Sequence, residues 1–467
     1  MIPTAFLDRM SKMLGAEYAD FVASMEGSQY RALRVNTGKI SVEEFVKMAP
    51  FDLDKVPWTD NGFYYGEEGR PGKHPLHEAG AYYIQEPSAM APVMFLDVTK
   101  GERILDLCAA PGGKSTQIGV KMQGQGILVC NEIHPQRAKI LSENVERMGI
   151  TNAIVTNESP ERLAGVFAGY FDKILVDAPC SGEGMFRKED AAGQEWSLEN
   201  VQLCADRQDA VLDSAATMLR PGGRMVYSTC TFAPLEDEGA VARFLDRHPD
   251  FEIVKVDAPD GFMPGRADWA EEYGGAKNGS CGLEHTMRLM PHKVKGEGHY
   301  LAVLRRKGEE NGNAGCKVLE ERSLSAKDIK EYFEFAKETF SQEEYCSKGI
   351  FLRFGEQLYL GPEHMPNLKG LKVLRPGLHL GTIKKNRFEP SHALALVMSP
   401  REAKRSIDLK MDGLEVKQFL SGQTLTGSDN VTNGWILVCV EGLSIGWGKQ
   451  TGLVVKNHYP KGLRKNM

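Results

Sequence analysis

Residues 103–116, R-I-L-D-L-C-A-A-P-G-G-K-S-T, constrain this chain more than any other stretch. A short apolar run carrying Asp106 gives way at Ala109-Ala110-Pro111 to paired glycines, and from Lys114 the pattern becomes helical. Strand, tight glycine turn and helix N-terminus, in that order, build the corner at which open α/β sheets hold nucleotide-like ligands. A side chain at position 112 or 113 would keep a ligand off the backbone. The P-loop spacing G-x-x-x-x-G-K-[ST] fits Gly113-Lys114-Ser115 but needs a first glycine where this chain has Cys108. The dinucleotide spacing G-x-G-x-x-G is not supplied by the turn either. What the turn holds is therefore a question for the rest of the chain.

That rest is too long for one core, since 467 residues predict two or three domains. No apolar run reaches the roughly 18 residues of a membrane-spanning helix, and the N-terminus lacks the basic start and long apolar core of a secretory signal. A cytoplasmic protein is expected. The nine cysteines, at 108, 130, 180, 204, 230, 281, 316, 346 and 439, are odd in number, widely spaced and free of C-x-x-C pairs. Free thiols in a reducing compartment follow, rather than a disulfide framework or a zinc site. His74-Pro-Leu-His77 has a proline inside it and no further ligand nearby, so it reads as a loop and no metal is expected. A net charge of -6 means that any nucleic-acid surface must be a local patch.

Residues 1–95 read as a helical N-terminal region. Apolar residues recur at helical spacing over 6–14, 18–25 and 41–48, the last with Ser41 as N-cap and Glu44 at the capping-box position. Between them, 31–37 alternates basic and apolar residues like a half-buried strand, whose arginines are expected to face solvent. Residues 96–306 alternate strand-like and helix-like segments, the signature of a doubly wound parallel sheet. The expected strands are 103–108, 127–132, 153–157, 172–177 and 225–229, with helices at 135–148 and 198–219 among those between. Pro221-Gly-Gly-Arg224 should stop the second helix and turn the chain into the fifth strand, and 299–304 should form a late one. The polar, glycine-rich 307–315 opens an interdomain linker taken as 307–320. Two small α+β units follow, divided as 321–390 and 391–467.

The five strand ends would converge on one side of the sheet, where such folds bind ligands. The first carries the glycine turn. The second ends in Glu132, an acid placed to accept hydrogen bonds from both hydroxyls of a ribose, with Arg137 five residues on. Asn157 ends the third and could meet an adenine edge. The remaining two end in Asp177-Ala-Pro179-Cys180 and in Ser228-Thr-Cys230. Methyltransferases that act on exocyclic amines usually place an aromatic where this chain has Cys180. One such cysteine is commonly a buried small hydrophobe; two at adjacent strand ends beside a cofactor turn suggest chemistry. Cytosine C5 is a poor nucleophile, but addition of a thiolate at C6 makes it enamine-like and able to attack a sulfonium methyl group. A carboxyl near N3 and N4, here Asp177, would stabilise the charge that develops. On chemistry alone either cysteine could be the nucleophile.

Asp106–Lys114, Asp177–Cys180 and Ser228–Cys230 resemble the motifs of the Nop/Sun family of RNA (cytosine-5) methyltransferases, over roughly residues 1–306. Arg34-Val-Asn36-Thr37, Gln85-Glu-Pro-Ser88 and Arg288-Leu-Met-Pro291 through Gly298-His299-Tyr300 are similar to its flanking motifs. The resemblance implies a Rossmann-like α/β domain using S-adenosyl-L-methionine, an antiparallel late strand, Cys230 as nucleophile and Cys180 as the group assisting product release. It implies that Asp177 and Lys114 also serve catalysis. Cys108, Ala109, Ala110, Pro111, Gly112, Gly113, Lys114, Glu132, Arg137, Asn157 and Asp177 would line the cofactor pocket. Many members carry aspartates where this chain has Glu132 and Asn157. Leu374-Arg-Pro-Gly-Leu378, Gly446-Trp-Gly-Lys449 and 455–464 look like the bacterial RsmF-type enzymes, which act on 16S ribosomal RNA and end in a PUA-like RNA-binding domain. Lys384, Lys385, Arg387, Lys456, Lys461, Arg464 and Lys465, interleaved with Trp447, His458 and Tyr459, would suit phosphate contacts and base stacking. The expected partner is 16S ribosomal RNA or the small ribosomal subunit, bound by a monomer. The competing readings are a tRNA cytosine-5 methyltransferase, a non-catalytic RNA-binding assembly factor and a nucleotide hydrolase.

Overall fold

The computed structural model describes residues 2–66, 70–188, 190–274, 282–309, 319, 324–342, 345–427 and 433–465. Most of the expected linker, with Cys281 and Cys316, therefore lies outside the described residues.

Helices α1 (Thr4–Leu14), α2 (Tyr18–Glu26) and α3 (Val42–Met48) form where the apolar spacing places them, and Ser41 and Glu44 close the capping box. The N-terminal region is not simply helical, however. Strands β1 (Ala32–Val35), β2 (Leu53–Lys55), β3 (Gly62–Tyr65) and β4 (Tyr82–Ile84) build an antiparallel sheet in the order β2-β3-β1-β4. Strands of three or four residues are too short for their alternation to stand out in a sequence. Nor do both arginines of 31–37 face solvent, because Arg34, in β1, is buried. His74 caps a short helix α4 (Pro75–Glu78) instead of lying in a loop, since proline is well suited to a first helical turn.

After α5 (Pro92–Phe95) comes the expected alternation: β5 (Arg103–Asp106), α6 (Gly113–Met122), β6 (Ile127–Asn131), α7 (Pro135–Arg147), β7 (Ala153–Thr156), α8 (Pro160–Ala164), β8 (Phe171–Asp177), α9 (Asp190–Glu195), α10 (Leu198–Met218) and β9 (Leu219–Thr229). The five strands are parallel in the order β9-β8-β5-β6-β7. Strand β9 begins earlier than the sequence suggests. Pro221-Gly-Gly is absorbed as an irregularity between the Phe171–Leu219 and Lys173–Arg224 pairs. Alternate residues of each strand feed different cores: Leu105, Val129, Ile154 and Ile174 pack on one face, and Ile104, Leu128, Val155 and Leu175 on the other.

Beyond α11 (Glu238–Arg247), β10 (Phe251–Ile253), β11 (Met263–Pro264), α12 (Ala267–Glu272) and β12 (Met287–Leu289), the chain returns as β13 (His299–Arg306). This late strand lies antiparallel to β9.

The C-terminal region packs α13 (Lys330–Thr339) on a sheet of β14 (Ile350–Phe354), β15 (Gln357–Gly361), β17 (Leu378–Lys384) and β18 (Arg387–Pro390). Between β15 and β17 the chain leaves this sheet, and β16 (Val373–Arg375) pairs antiparallel with β7 of the central one. Helix α14 (His392–Val397) leads to a five-stranded unit. It comprises β19 (Ser406–Leu409), β20 (Leu425–Thr426), β21 (Gly434–Val440), β22 (Leu443–Thr451) and β23 (Val454–Asn457), with α15 (Leu414–Leu420) between the first two strands. Its core is continuous with that of the N-terminal sheet, where Leu33, Val35 and Tyr82 join Phe419, Ile436 and Val438. No helix among the described residues is long and apolar enough to cross a membrane.

Two expected stacking aromatics are absorbed by this packing. Trp447 is only 2% exposed and donates from its indole to the Ser391 carbonyl at 2.9 Å. Tyr459 is equally buried and bonds Glu78 at 2.9 Å. Several expected phosphate ligands are engaged within the chain: Lys384 with Glu356, Arg387 with Glu389, and Lys465 with Glu78. In antiparallel strands neighbouring residues point to opposite faces, so basic and aromatic residues adjacent in sequence part company in space.

Candidate active site

The switch in strand order lies between β5 and β8, and the glycine turn sits above it, as open α/β sheets require of a ligand site. Gly112 has φ 114°, a conformation that side chains avoid, and Gly113 opens α6. The Ala110–Pro111 peptide is cis. Asp106 is fully buried beneath the turn. One of its carboxylate oxygens accepts from the Ser115 hydroxyl at 2.6 Å, while Oδ1 has no partner among the described residues. Burial pushes this carboxyl up to about 7.

Glu132, buried just past β6, accepts from the His134 amide at 2.9 Å and lies 3.6 Å from the Arg137 guanidinium. Arg137 also donates to the Ala110 carbonyl at 2.8 Å, tying the glycine turn to the end of β6. Asn157 spends both amide hydrogens on the carbonyls of Glu132 and Ile133, at 2.7 and 2.8 Å. It thus fastens that loop, and its side-chain oxygen is the part left for a ligand. Burial and Asp106 raise the Cys108 thiol far above the ordinary range, so it stays neutral. This cradle fits S-adenosylmethionine. An unpartnered buried acceptor and a buried carboxylate at adjacent strand ends suit its hydroxyl and ammonium donors, and an anionic surround suits its sulfonium.

The reacting groups stand beside it. Asp177 and Ser228 are register partners at the ends of β8 and β9. The Lys114 ammonium lies 2.8 Å from one oxygen of Asp177, and the Ser228 hydroxyl donates to the other at 2.8 Å. Burial alone would raise the Asp177 carboxyl, but Lys114 and then His299 hold it well below the usual carboxylate range. Just beyond, the sulfurs of Cys180 and Cys230 are 3.1 Å apart, and the Cys230 amide donates to the Cys180 sulfur at 3.3 Å. Contact with Cys230, followed by burial, pushes the Cys180 thiol well above its ordinary value.

The loops around these thiols rest on a buried polar frame that sequence reasoning missed. Glu183 receives Arg9 of α1 at 2.6 Å, the Trp196 indole at 2.9 Å and the Phe232 amide at 3.1 Å. Glu236 receives the Ser181 amide at 2.8 Å and Gln208 at 2.9 Å. A Cβ on Gly184 would stand 3.0 Å from the Cys230 carbonyl, so the loop closes tightly under that cysteine. In the sequence Arg34 is a basic residue in a short strand and the first residue of a family-like motif, with no contact assigned to it. Its guanidinium in fact bonds the Gly113 carbonyl at 2.8 Å and the Thr116 hydroxyl at 2.9 Å, as well as Gln85, so the N-terminal sheet holds the glycine turn from below. An arginine inside an otherwise apolar strand was the available signal.

A glycine turn over a buried acid, at the switch point of a parallel sheet with an antiparallel late strand, defines a Rossmann-like S-adenosylmethionine-dependent methyltransferase. Family models cover most of the chain: 16S rRNA methyltransferase RsmB/F over residues 93–305, the N-terminal domain of 16S rRNA methyltransferase RsmF over 2–87, its first C-terminal domain over 334–398 and its PUA domain over 406–465. The chain belongs to the RsmF family of 16S ribosomal RNA methyltransferases. It is 32% identical to the ribosomal RNA small subunit methyltransferase F of Aeromonas salmonicida, over 99% of this chain and 97% of that protein. The corresponding enzyme of Vibrio cholerae is 31% identical over the same shares. Among solved structures, a methyltransferase homolog protein from Pyrococcus horikoshii is similar with a TM-score of 0.57 at 30% identity, covering 66% of this chain and 95% of that one. NSun6 from Pyrococcus horikoshii, solved with SFG, shares the fold with a TM-score of 0.56 at 21% identity, covering 66% and 99%.

Proposed function

We propose that this chain methylates C5 of cytosine in 16S ribosomal RNA through a covalent adduct between Cys230 and C6 of the base. The observation that carries the reading is the pair of thiols 3.1 Å apart at the ends of adjacent strands, next to the Lys114–Asp177 pair. Either sulfur can donate to the other across this contact, and the resemblance to the Nop/Sun family assigns the nucleophile to the cysteine of Ser-Thr-Cys, here Cys230. Cys180 is then placed to assist departure of the Cys230 sulfur from the product.

The Cys230 sulfur adds to C6 while Asp177, held by Lys114 and Ser228, faces the N3–N4 edge, where a proton passed through it stabilises the charge that develops. S-adenosylmethionine supplies the electrophilic methyl carbon. Cys108–Lys114, Glu132, Arg137, Asn157 and Asp177 would hold it. Loss of the C5 proton to a base and departure of the sulfur complete the cycle. The substrate is 16S ribosomal RNA or the small subunit, and the enzyme works as a monomer in the cytoplasm.

The test uses labelled S-adenosylmethionine and small subunits lacking cytosine methylation. Cys230→Ala should transfer no methyl and form no adduct, whereas Cys180→Ala should accumulate an RNA adduct that survives denaturation. An adduct trapped by Cys230→Ala would move the nucleophile to Cys180, and methylation elsewhere than C5 would sink the reading.

A further inference from the structure

The chemistry above does not use His299, which opens β13 and is 4% exposed. Tyr300 pairs with Thr229, so the next step along each strand brings His299 opposite Cys230. Its Nε2 lies 3.5 Å from Oδ1 of Asp177, the oxygen that Ser228 bonds. That separation is longer than a hydrogen bond, and Nε2 has no hydrogen-bond partner among the described residues. Catalytic hydrogen bonds are often long before substrate arrives and tighten once it does.

The other charged groups around His299 are committed. Lys114, from α6, occupies the far oxygen of Asp177. Glu297 is turned to Arg187 at 2.7 Å. On the neighbouring strand, Arg288 is paired with Asp237 and Glu238. Among the described residues, His299 therefore faces Asp177 with no competing ion pair.

We propose that His299 supplies, through Asp177, the proton that bonds cytosine N3 as the Cys230 sulfur adds to C6. The inference rests on the covalent reading above. In the forward step the lone pair of the Cys230 thiolate forms the S–C6 bond, the C5=C6 π pair becomes the C4=C5 bond, and the N3=C4 π pair, moved onto N3, takes a proton passed through Asp177. That proton comes from the His299 imidazolium, which becomes neutral. When the S–C6 bond later breaks, the N3 proton returns by the same path. Asp177 cannot begin as the acid, because Lys114 and His299 keep it ionised against the effect of burial. Lys114 is a reluctant donor, because Asp177 outweighs burial and raises its affinity for its proton. Imidazole is the side chain that exchanges a proton near neutrality. His299 acts through Asp177, so it is a positioning residue.

The experiment compares full-length wild type and His299→Gln in single-turnover methyl transfer to unmodified small subunits between about pH 5.5 and 9. We expect wild type to lose rate on the alkaline side. His299→Gln should be about 10- to 100-fold slower near neutrality, without that alkaline fall, and should bind S-adenosylmethionine within about twofold of wild type. An unchanged rate and profile, or a defect confined to cofactor affinity, overturns the proposal. So does wild type with no alkaline limb, a check that requires no variant to fold. If wild type methylates no cytosine and forms no adduct, the covalent reading fails first and this proposal falls with it.

Discussion

The catalytic sheet and the C-terminal five-stranded unit treat their polar residues in opposite ways. In the sheet, Asp106, Glu132 and Asp177 end parallel strands and so arrive on one side together. In the C-terminal unit Trp447 and Tyr459 turn inward, and in the neighbouring four-stranded sheet Lys384 and Arg387 pair with acids on the surface. The difference teaches that a motif of contiguous residues survives folding when each copy sits at the same end of parallel strands. A composition-based patch on antiparallel strands is dispersed by the pleat.

That contrast can be broken by mutation. Trp447→Ala should cost about 4 kcal/mol in denaturant unfolding, because the ring is core; a loss of RNA affinity at unchanged stability would restore it as a stacking platform. Lys114→Ala should lower single-turnover methyl transfer about 10²- to 10³-fold while unfolding stays cooperative. A variant within twofold of wild type would remove Lys114 from catalysis.

The buried frame predicts a pH effect. Burial, with Glu183 nearby, raises the Glu236 carboxyl from 4.5 to about 7. The folded state therefore holds a proton that the unfolded state releases, and this stability, present below about pH 4.5, is lost as pH rises through about 7. The change amounts to ~3 kcal/mol, and denaturation at pH 5 and 7.5 should show it shrinking in Glu236→Gln. Arg34→Met strips donors from Gly113 and Thr116 and should destabilise by ~2 kcal/mol, with weaker S-adenosylmethionine binding by calorimetry. Lys384→Ala, at a half-exposed ion pair, should change stability by no more than ~0.5 kcal/mol; a larger effect would mean the surface pairs help hold the C-terminal sheet.

β16 marks another limit of reading along the chain. Its pairing with β7, and the bond from the Asn157 amide to the Lys372 carbonyl at 2.9 Å, bring a C-terminal segment to the edge of the cofactor turn. Three residues, more than 200 positions away in sequence from the strand they join, carry no local signal of that partnership.

By itself the sequence determined the parallel strands, the glycine turn and the two cysteines, because strand period, turn chemistry and helix caps act over a few neighbouring residues. Only the tertiary structure decided that Arg34 would grip the turn, that Glu183 and Glu236 would underlie the thiols, and that His299 would face Asp177. The contacts to Gly113, Ser181, Phe232 and Asp177 that do this each join residues more than 45 positions apart, and the first three satisfy polar groups that packing buried.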